Sequence, residues 1–449
     1  MNINLINKFL RFDKKIINHD KSSLIELWFC LRYNIFFQYL TTQSIRDNYN
    51  SATKKKSPFA IFYSLIFQVL QTLKIIFFLF KKNKILEIDV GRYKIYERKK
   101  SSTISYILKK NNINSQAISL SYNSQIFDNK INIIFLIKIV YFFLNVCEKF
   151  KKKNEDLMII EKKFNLFFKN KNELNFYKIY KSIYLRQVAI YLVIKFFIKL
   201  LNCKKVLYLE NPILNKLIIY CGKKPIETFD IQHAMISKLS ILYRYYVNKK
   251  YNYIFTKNII TWGSYWKKFY SNKSRCVNLG YYESNKKYNV KKKKQIFIIG
   301  SGYERKYLIE LLKFLSVKLK NYSLIYKLRP EENISEFKKQ INFDIKSIVF
   351  YEKIHEDLLK KKIAESLYVI GTNSTLLVES IGLSNVIVYK KGFYRDLEDL
   401  ISKKILLSGK NCNEISNLIL NKKFPKNKIK RNLIFKKPNK QDLKKIIKL

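Results

Sequence analysis

The sequence predicts an α/β protein in which two doubly wound lobes follow a helix-rich N-terminal part. Only Gly91 occurs before Gly222, whereas nine glycines lie from Gly222 onward. Long glycine-free segments favour helices, while tight turns between short elements need glycine. From residue 295 onward, short apolar runs alternate with helical patterns, as in parallel β-α units. The chain has 449 residues and 48% hydrophobic content, enough for two separate cores.

Four regions follow from these patterns. A basic, glycine-free connector at 285–294 marks the boundary between the two lobes. The segment beyond residue 422 is rich in Lys, Asn and Pro, which predicts loose order. The predicted regions are a helix-rich N-terminal region (1–154), a first α/β lobe (155–284), a second α/β lobe (285–422) and a basic tail (423–449).

The N-terminal region contains two predicted helices in residues 1–50 and a long apolar segment at 59–80. That segment is long enough to span a bilayer. However, Gln68, Gln71 and Lys74 recur at helical spacing, and one polar stripe favours a helix that lies at an interface or packs on the protein. Residues 131–146 are similar but shorter and are predicted to belong to the core. Lysine clusters beside these segments fit contact with an anionic membrane surface.

Strands and helices are predicted in alternation through both lobes. In the first lobe the strand candidates are 157–160, 206–209, 225–234, 259–262 and 276–280, with a long helix at 176–201. In the second lobe the strands are 295–300, 323–328, 348–351, 366–370 and 386–390, and the helices are 304–319, 334–340, 356–364, 374–381 and 395–402.

The formal net charge of +55 implies attraction to polyanions, although part of it accompanies abundant Asn, Ile, Phe and Tyr. The candidates are an anionic membrane surface, nucleotides and nucleic acid. Because no zinc spacing, RNP-like segment or basic-region helix appears, no nucleic-acid partner is expected. The six cysteines are far apart and form no Cys-x-x-Cys pair. They predict buried free thiols in a reducing compartment.

The most informative stretch is Val369–Glu379, where a buried strand leads into a helix through small hydroxyl residues. Such a turn brings backbone N–H groups and the hydroxyls of Ser374 and Thr375 to one point, which predicts a phosphate site. Glu379 follows Thr375 by one helical turn, where it would contact a ribose hydroxyl. The alternative is an ordinary helix capped by Asn373 or Ser374.

Two further strand ends in the second lobe carry candidate residues. Arg329 follows a predicted strand and offers a planar, permanent cation for a diphosphate. The alternative is a surface ion pair with Glu331 or Glu332. Gly300 and Ser301 form a fragment of a glycine-rich loop with backbone donors, although the third glycine of a dinucleotide signature is missing.

His233 differs from His19 and His355, which are predicted to lie at the surface. It ends a predicted parallel strand, and ligands bind at the carboxyl edge of open α/β sheets. Its imidazole is a candidate general base or a donor to phosphate, the alternative being a structural histidine. Glu227 and Asp230 precede it on the same strand. Both are rival bases, and Asp230 is expected to be the more exposed of the two carboxylates.

The order of these motifs resembles bacterial surface-polysaccharide glycosyltransferases of the two-lobed GT-B fold. The resemblance covers roughly residues 205–400. It includes the capsule and lipopolysaccharide transferases and, more distantly, the teichoic-acid polyol-phosphate transferases and the bacterial sialyltransferases. The motifs are Gln232-His233-Ala234, Thr261-Trp262-Gly263-Ser264-Tyr265-Trp266, Leu279-Gly280-Tyr281, a basic linker, a strand ending in Arg329-Pro330, and Gly371-Thr372-Asn373-Ser374-Thr375 followed by Glu379.

The resemblance implies that two Rossmann-like lobes face a cleft. Residues 1–154 would be the membrane-proximal part of the acceptor lobe, 155–284 the acceptor lobe itself and 285–422 the nucleotide-donor lobe. His233 matches the histidine of the family's Gln-His motif, and Ser374 with Thr375 matches its paired hydroxyls. The chain departs from the family at Ala234, where glycine is usual, and at Arg329, where histidine is usual. Arginine supplies charge but cannot serve as an acid near neutral pH.

The implied activity is metal-independent sugar transfer, with no cofactor, from a nucleotide-activated donor to a growing capsule or lipopolysaccharide glycan. The acceptor would be lipid-linked or polymeric. The enzyme would be cytoplasmic and peripheral on the inner face of the cell membrane. No Asp-x-Asp motif of metal-dependent transferases stands near the candidate residues. Two alternatives remain: a CDP-glycerol-type polyol-phosphate transferase and a non-catalytic scaffold for glycan assembly.

Overall fold

The computed structural model describes the chain in fifteen stretches, and the structural statements below concern these residues alone. The predicted helix at 59–80 lies outside them. Within them, no helix combines the length and hydrophobicity needed to cross a bilayer. The stretches are 3–44, 84–90, 93–96, 99–120, 130–150, 154–169, 174–209, 212–245, 249–270, 274–281, 288–301, 304–329, 332–352, 354–425 and 431–447.

The first lobe is built on a sheet of seven parallel strands in the order β5-β4-β1-β6-β7-β8-β9. A separate antiparallel hairpin, β2–β3, joins β1 to the helix that precedes β4. The strands are β1 (Ile85–Asp89), β2 (Tyr93–Tyr96), β3 (Lys99–Ser102), β4 (Gln116–Ser119), β5 (Lys130–Asn132), β6 (Lys205–Leu209), β7 (Glu227–Ile231), β8 (Asn258–Thr261) and β9 (Arg275–Asn278).

Three strands of this sheet come from residues 85–132, a part of the chain for which the sequence predicts helices. The region 1–154 is therefore not helix-rich throughout. In β1 every residue is buried, including two carboxylates. Lys130 on β5 lies 2.9 Å from Asp89 and 3.7 Å from Glu87. Charges that are paired inside the sheet interrupt the apolar run that reveals a buried strand.

Some helices of the first lobe cover this sheet, while α1, α2, α5 and α6 pack together in a separate core. Helices α4 and α7 pack against each other and on one face of the sheet. A π-helical turn, Tyr180–Tyr184, joins α6 to α7. The helices are α1 (Ile3–Ile17), α2 (Ser22–Ser44), α3 (Thr103–Lys110), α4 (Ile134–Lys149), α5 (Glu155–Phe168), α6 (Phe176–Ile179), α7 (Leu185–Leu200) and α8 (Asn215–Gly222).

Two expectations for the first lobe are wrong. Residues 157–160 form part of α5 and not a strand, because Asn154 caps the helix by accepting from the N–H of Leu157 at 3.1 Å. Ile160 and Phe164 continue the helical stripe into the core formed with α1 and α2. Residues 131–146 are not a single core segment. They split into β5 and α4, and α4 keeps a wide apolar face exposed.

The second lobe contains all five predicted strands and a sixth, β15, that was not predicted, and the six are parallel in the order β12-β11-β10-β13-β14-β15. The helix after β15 was not predicted either. The strands are β10 (Lys293–Ile299), β11 (Ser323–Lys327), β12 (Ile348–Tyr351), β13 (Ser366–Gly371), β14 (Asn385–Tyr389) and β15 (Leu407–Gly409). The helices are α9 (Arg305–Lys318), α10 (Ile334–Lys339), α11 (Glu356–Glu365), α12 (Thr375–Glu379), α13 (Glu398–Ser402) and α14 (Cys412–Leu420). Both sheets are doubly wound in the Rossmann manner, which confirms the predicted α/β class.

The basic tail returns to the first lobe as two short helices, α15 (Arg431–Ile434) and α16 (Lys440–Ile447). Leu443 and Ile447 are fully buried in the core beneath β6, β7 and β8. Ile434 and Phe435 pack against Trp262 and its neighbours. The expectation of a loosely ordered tail is therefore wrong for 431–447. Its few apolar residues are masked by the surrounding Lys and Asn in the composition.

Candidate functional site

The strand order of the second sheet reverses between β10 and β13, which lie side by side in parallel register. In doubly wound sheets the connections on either side of such a reversal leave toward opposite faces, and the ligand crevice is expected beyond the carboxyl ends of these two strands. Open α/β sheets bind ligands at such a point. The residues that follow β10 are Gly300 and Ser301, and those that follow β13 are Thr372, Asn373, Ser374 and Thr375.

The turn after β13 matches its prediction in its local geometry. Ser374 is the N-cap of α12, as expected, and its hydroxyl accepts from the N–H of Leu376 at 3.2 Å. Asn373, Ser374 and Thr375 are half-buried. However, α12 has only five residues. A helix of this length has a weak macrodipole, so the side chains and not the dipole give the turn its polarity.

Thr372 is a further polar residue of this turn, and no local sequence pattern distinguishes it. Its side chain is 1% exposed, and its hydroxyl has no hydrogen-bond partner among the described residues. A buried hydroxyl without a partner costs about 1–3 kcal/mol. Such a cost at the carboxyl end of a switch-point strand is offset when a ligand supplies the missing partner.

Asp396 holds this turn against the first lobe. One carboxylate oxygen accepts from the amide of Asn373 at 2.9 Å, and the other accepts from the hydroxyl of Ser237 at 2.5 Å. Burial raises the pKa of the Asp396 carboxyl, and the hydrogen bonds from Ser237 and Asn373 act in the opposite direction. Asp396 therefore joins the loop after β7 to the turn after β13.

The segment that contains His233 lies in the same place. Gln232 is buried and fixes it: its side-chain oxygen accepts from the N–H of Trp262 at 3.0 Å, and its amide donates to the carbonyl of Ala234 at 3.0 Å. His233 is half-buried. Two residues later, the N–H of Met235 lies 3.4 Å from the Thr375 hydroxyl. The structure thus brings the Gln-His turn of the first lobe to the hydroxyl turn of the second.

A second set of contacts joins the lobes beside this site. Asp399 accepts from the Tyr265 hydroxyl at 2.5 Å and from the Lys268 ammonium at 2.5 Å, and Lys403 lies 3.2 Å away. Burial alone would raise the pKa of the Asp399 carboxyl, but the hydrogen bonds from Lys268, Tyr265 and Lys403 lower it to about 2. The carboxylate is therefore charged across the physiological range.

Gly300 and Ser301 lie at the switch point, although their polar groups turn inward. The Gly300 N–H donates to the carbonyl of Lys327 at 2.8 Å, and a Cβ on Gly300 would lie 2.7 Å from that carbonyl oxygen. The Ser301 hydroxyl donates to the carboxylate of Glu304. Glu304 also accepts from the N–H of Phe393 at 3.0 Å. The Gly300 N–H and the Ser301 hydroxyl are therefore already bonded within the second lobe.

Arg329 follows β11, one strand beyond β10 at the same carboxyl edge. It is half-buried, and its backbone N–H donates to Glu332 at 2.8 Å. The other oxygen of Glu332 accepts from the guanidinium of Arg305 at 2.9 Å. Arg305 thus takes the side-chain ion pair with Glu332 that the sequence considered for Arg329.

Glu379 is buried at the end of α12 and already bonded on both oxygens. One accepts from the Tyr281 hydroxyl at 2.8 Å, and the other contacts the ammonium of Lys360, which is equally buried. The predicted contact of Glu379 with a ribose stays a prediction. Its position favours a structural role, since it ties α12 to α11 and to the segment after β9.

Asp230 does not accompany His233 at the lobe boundary. Its side chain is 4% exposed, whereas Glu227 is half-buried, so the expectation that Asp230 is the more exposed carboxylate is wrong. Residues of the first lobe alone line the pocket that it faces, among them Arg32, Tyr208 and Tyr243. The cause is the strand period, since Asp230 points to the opposite face from Phe229 and Ile231.

His19 and His355, both expected at the surface, are half-buried. His355 caps α11, its Nδ1 accepting from the N–H of Asp357 at 3.4 Å. Its Nε2 is buried without a partner among the described residues. His355 follows β12, so it lies at the same carboxyl edge as Arg329. The only sequence signal for Thr372 and His355 is their position just after predicted strands.

Comparison with known proteins gives similarity in structure only. No protein-family profile and no curated protein matches the sequence. UDP-GlcNAc 2-epimerase from Methanocaldococcus jannaschii matches with 10% identity and a TM-score of 0.48, over 81% of this chain and 98% of that chain. UDP-GlcNAc 2-epimerase from Neisseria meningitidis, bound to UDP-GlcNAc, has 12% identity and a TM-score of 0.47, over 81% and 98%.

MurG from Acinetobacter baumannii matches with 8% identity and a TM-score of 0.44, over 81% of this chain and 99% of that chain. At these identities and TM-scores, the fold assignment rests on the strand order and parallel register of the two sheets themselves. The described residues contain no group of three His, Cys, Asp or Glu side chains arranged to hold a metal ion.

Proposed function

We propose that this protein transfers a sugar from a nucleotide-activated donor to a cell-surface glycan, of the capsule or lipopolysaccharide type, at the cytoplasmic face of the membrane. The observation that carries the proposal is the buried, unpartnered hydroxyl of Thr372 at the switch point of the second sheet. A donor diphosphate is an acceptor-rich group, and it would supply the missing hydrogen-bond partner.

In this proposal the donor diphosphate lies in the crevice beyond β10 and β13. The hydroxyls of Thr372, Ser374 and Thr375 bind its oxygens, and Arg329 approaches from β11 at the same edge. As the bond between the sugar and the diphosphate breaks, negative charge grows on the leaving group. Preorganised donors and a cation at that position stabilise the transition state.

The acceptor approaches from the first lobe. His233 would take the proton from the attacking hydroxyl, because its turn meets the hydroxyl turn of the second lobe through Met235 and Thr375. Asp230, inside the first lobe, is poorly placed for this role. The chemistry as proposed needs no metal or cofactor, since Arg329 and the hydroxyls supply the charge stabilisation.

The test is a pair of substitutions at Thr372. Thr372→Val keeps the shape and removes the hydroxyl, so it should raise the stability of the nucleotide-free protein by about 1 kcal/mol or more and weaken nucleotide binding by about 10-fold to 150-fold. Thr372→Ser retains the hydroxyl and is the matched control. Chemical denaturation gives the stability, and calorimetry with UDP-, CDP- and GDP-linked sugars gives the affinity. Unchanged nucleotide affinity in Thr372→Val would show that the donor does not bind in this crevice.

The same panel separates the alternatives. Preference for CDP-glycerol over every nucleotide sugar would favour a polyol-phosphate transferase. If no nucleotide binds, the result favours the non-catalytic scaffold. The departures at Ala234 and Arg329 would then account for the lost activity. Transfer of radiolabelled sugar to a lipid-linked acceptor by the purified protein would demonstrate the activity directly.

A further inference from the structure

A wide apolar surface lies on the outer side of α4 and α7, facing away from the sheet that these helices cover. It is formed by eight exposed side chains that recur at helical spacing. We call this surface the α4/α7 face. Its residues are Ile139, Phe142, Phe143 and Val146 along α4, Phe150 at the C-cap of α4, and Leu192, Phe196 and Leu200 along α7.

The extent of exposure is unusual for a water-facing helix pair. Phe142 is 64% exposed, Phe143 61%, Phe150 85% and Phe196 57%. Together these four rings expose roughly 500 Å² of apolar surface, given about 200 Å² for each whole side chain. Contiguous patches of this size on a protein surface mark sites of interaction with other proteins or membranes.

The charges around the face have a single sign. Lys138 precedes Phe142 by one turn and Lys149 follows Val146 by one turn, while Lys199 follows Phe196 by one turn on α7. The two helices contain one carboxylate, Glu148, which is buried. Apolar rings surrounded by lysines without exposed carboxylates complement a bilayer with anionic headgroups.

Two other occupants fit this chemistry less well. A second copy of the chain, related by a two-fold axis, would bring the lysines of one face against those of the other with no carboxylate to pair them. The apolar segment of this chain at 51–83 contains six lysines and neither Asp nor Glu. Both occupants are like-charged with the face, whereas an anionic leaflet is not.

We infer that the α4/α7 face is a docking surface for an anionic lipid bilayer. The rings of Phe142, Phe143 and Phe196 enter the interfacial region, and the surrounding lysines contact the headgroups. This inference does not depend on the proposed nucleotide-sugar chemistry, because lipid binding is measured without a nucleotide and a protein that binds no nucleotide would leave it intact.

The first experiment is sedimentation of the full-length protein with vesicles. We expect binding to phosphatidylcholine vesicles containing about 30 mol % phosphatidylglycerol, and at least about tenfold weaker binding to pure phosphatidylcholine. Raising the salt from about 0.1 M to about 0.5 M should weaken the binding, since the lysine contacts are screened. Equal binding to both kinds of vesicle would overturn the assignment.

Matched substitutions locate the binding on the protein. Phe142→Gln, Phe143→Gln and Phe196→Gln combined should reduce binding at least about tenfold. The control combines Val317→Gln and Phe424→Gln, two apolar residues that are 68% and 54% exposed elsewhere on the chain. All five positions are exposed, so circular dichroism should show an unchanged fold. Equal binding by the triple variant and the control would overturn the inference.

The lysines are tested in the same way. Lys138→Gln with Lys199→Gln should weaken binding to anionic vesicles and reduce its salt dependence. Lys313→Gln with Lys318→Gln removes the same charge from α9 and should leave both unchanged. If the two pairs lose binding equally, the attraction arises from the net charge of the whole protein, and the face has no special part in it.

Cys147 offers a direct probe, because it is exposed on the α4/α7 face between Phe143 and Phe150. It should react rapidly with a maleimide in the lipid-free protein and slowly once anionic vesicles are added. Cys147→Ser should lose this rapid phase and retain only the slower reaction of the other cysteines, of which Cys276 is half-buried and the rest are buried. Slow reaction before lipid is added would mean that another part of the chain, or a second copy, already covers the face. Light scattering distinguishes these two outcomes, and either one overturns the inference.

Discussion

Replacing Glu379 by glutamine separates a structural role from the predicted contact with ribose. The change keeps the side chain's shape and its hydrogen bond with Tyr281, but it leaves the buried Lys360 ammonium without its closest carboxylate. Removing one partner of a buried ion pair costs about 3–5 kcal/mol. Glu356, 3.6 Å from Lys360, remains as a weaker partner. We therefore expect a loss of about 2–4 kcal/mol in the free energy of unfolding.

Urea denaturation measures this loss in the free energy of unfolding. Calorimetry measures the nucleotide affinity of the folded variant. The matched control is Glu365→Gln, whose partners Lys293 and Lys362 have side chains that are 56% and 25% exposed, against 5% for Lys360. It should cost less than about 1 kcal/mol. Adding Lys360→Met to Glu379→Gln should restore most of the stability, since the unpaired charge is gone. If Glu379→Gln has normal stability and a tenfold lower affinity for the nucleotide, this reasoning is refuted and the predicted contact of Glu379 with the ribose is supported.

His233→Ala should lower turnover by about a hundredfold or more and leave nucleotide affinity unchanged, because proton transfer contributes roughly 10²–10⁴-fold. If His233→Ala keeps its turnover and Asp230→Asn abolishes it, the carboxylate is the base. Ser374→Ala with Thr375→Ala should weaken nucleotide binding by about 1–3 kcal/mol, and normal binding would mean that the turn is only a helix cap. The pKa of Asp399 is lowered from 3.8 to about 2 by its partners, so its contribution to stability is complete above the unfolded pKa and is lost as the pH falls through about 2; Asp399→Asn should remove that part of the acid-unfolding profile and reduce stability at neutral pH.

Apolar runs predicted five of the six strands of the second lobe, because each of those five is a short apolar segment between turns. The sixth, β15, is too short and too polar to give such a run. β13 and the Ser374 cap could be located from local chemistry alone. The first sheet was harder to predict, since β1 carries Glu87 and Asp89 and their partner Lys130 lies far along the chain. An ion pair between distant residues leaves no mark in the local pattern. The tail helix α16 was missed for a similar reason. Its buried Leu443 and Ile447 pack on strands that are far away in the sequence, and their neighbours in the chain are lysines.

The site divides along similar lines. Its position at strand ends followed from the sequence, while the state of each side chain did not. Ser301 and Glu379 are polar residues next to predicted turns, yet their partners Glu304 and Lys360 draw them inward. Thr372 was not distinguished from its neighbours because burial without a partner is a property of the surroundings. The role of Asp396 could not be predicted, because it depends on a hydrogen bond from Ser237 in the other lobe.

The return of α16 to the first lobe has a consequence for synthesis of the protein on the ribosome. The Lys205 ammonium at the start of β6 contacts the carbonyl of Ile447. The core beneath this strand therefore cannot be completed until residue 447 has left the ribosome. Domains usually fold in order as they leave the ribosome. Here the second lobe can complete its core while the earlier one still lacks its last helix. The nascent first lobe would therefore expose apolar surface longest, and chaperone capture should concentrate there.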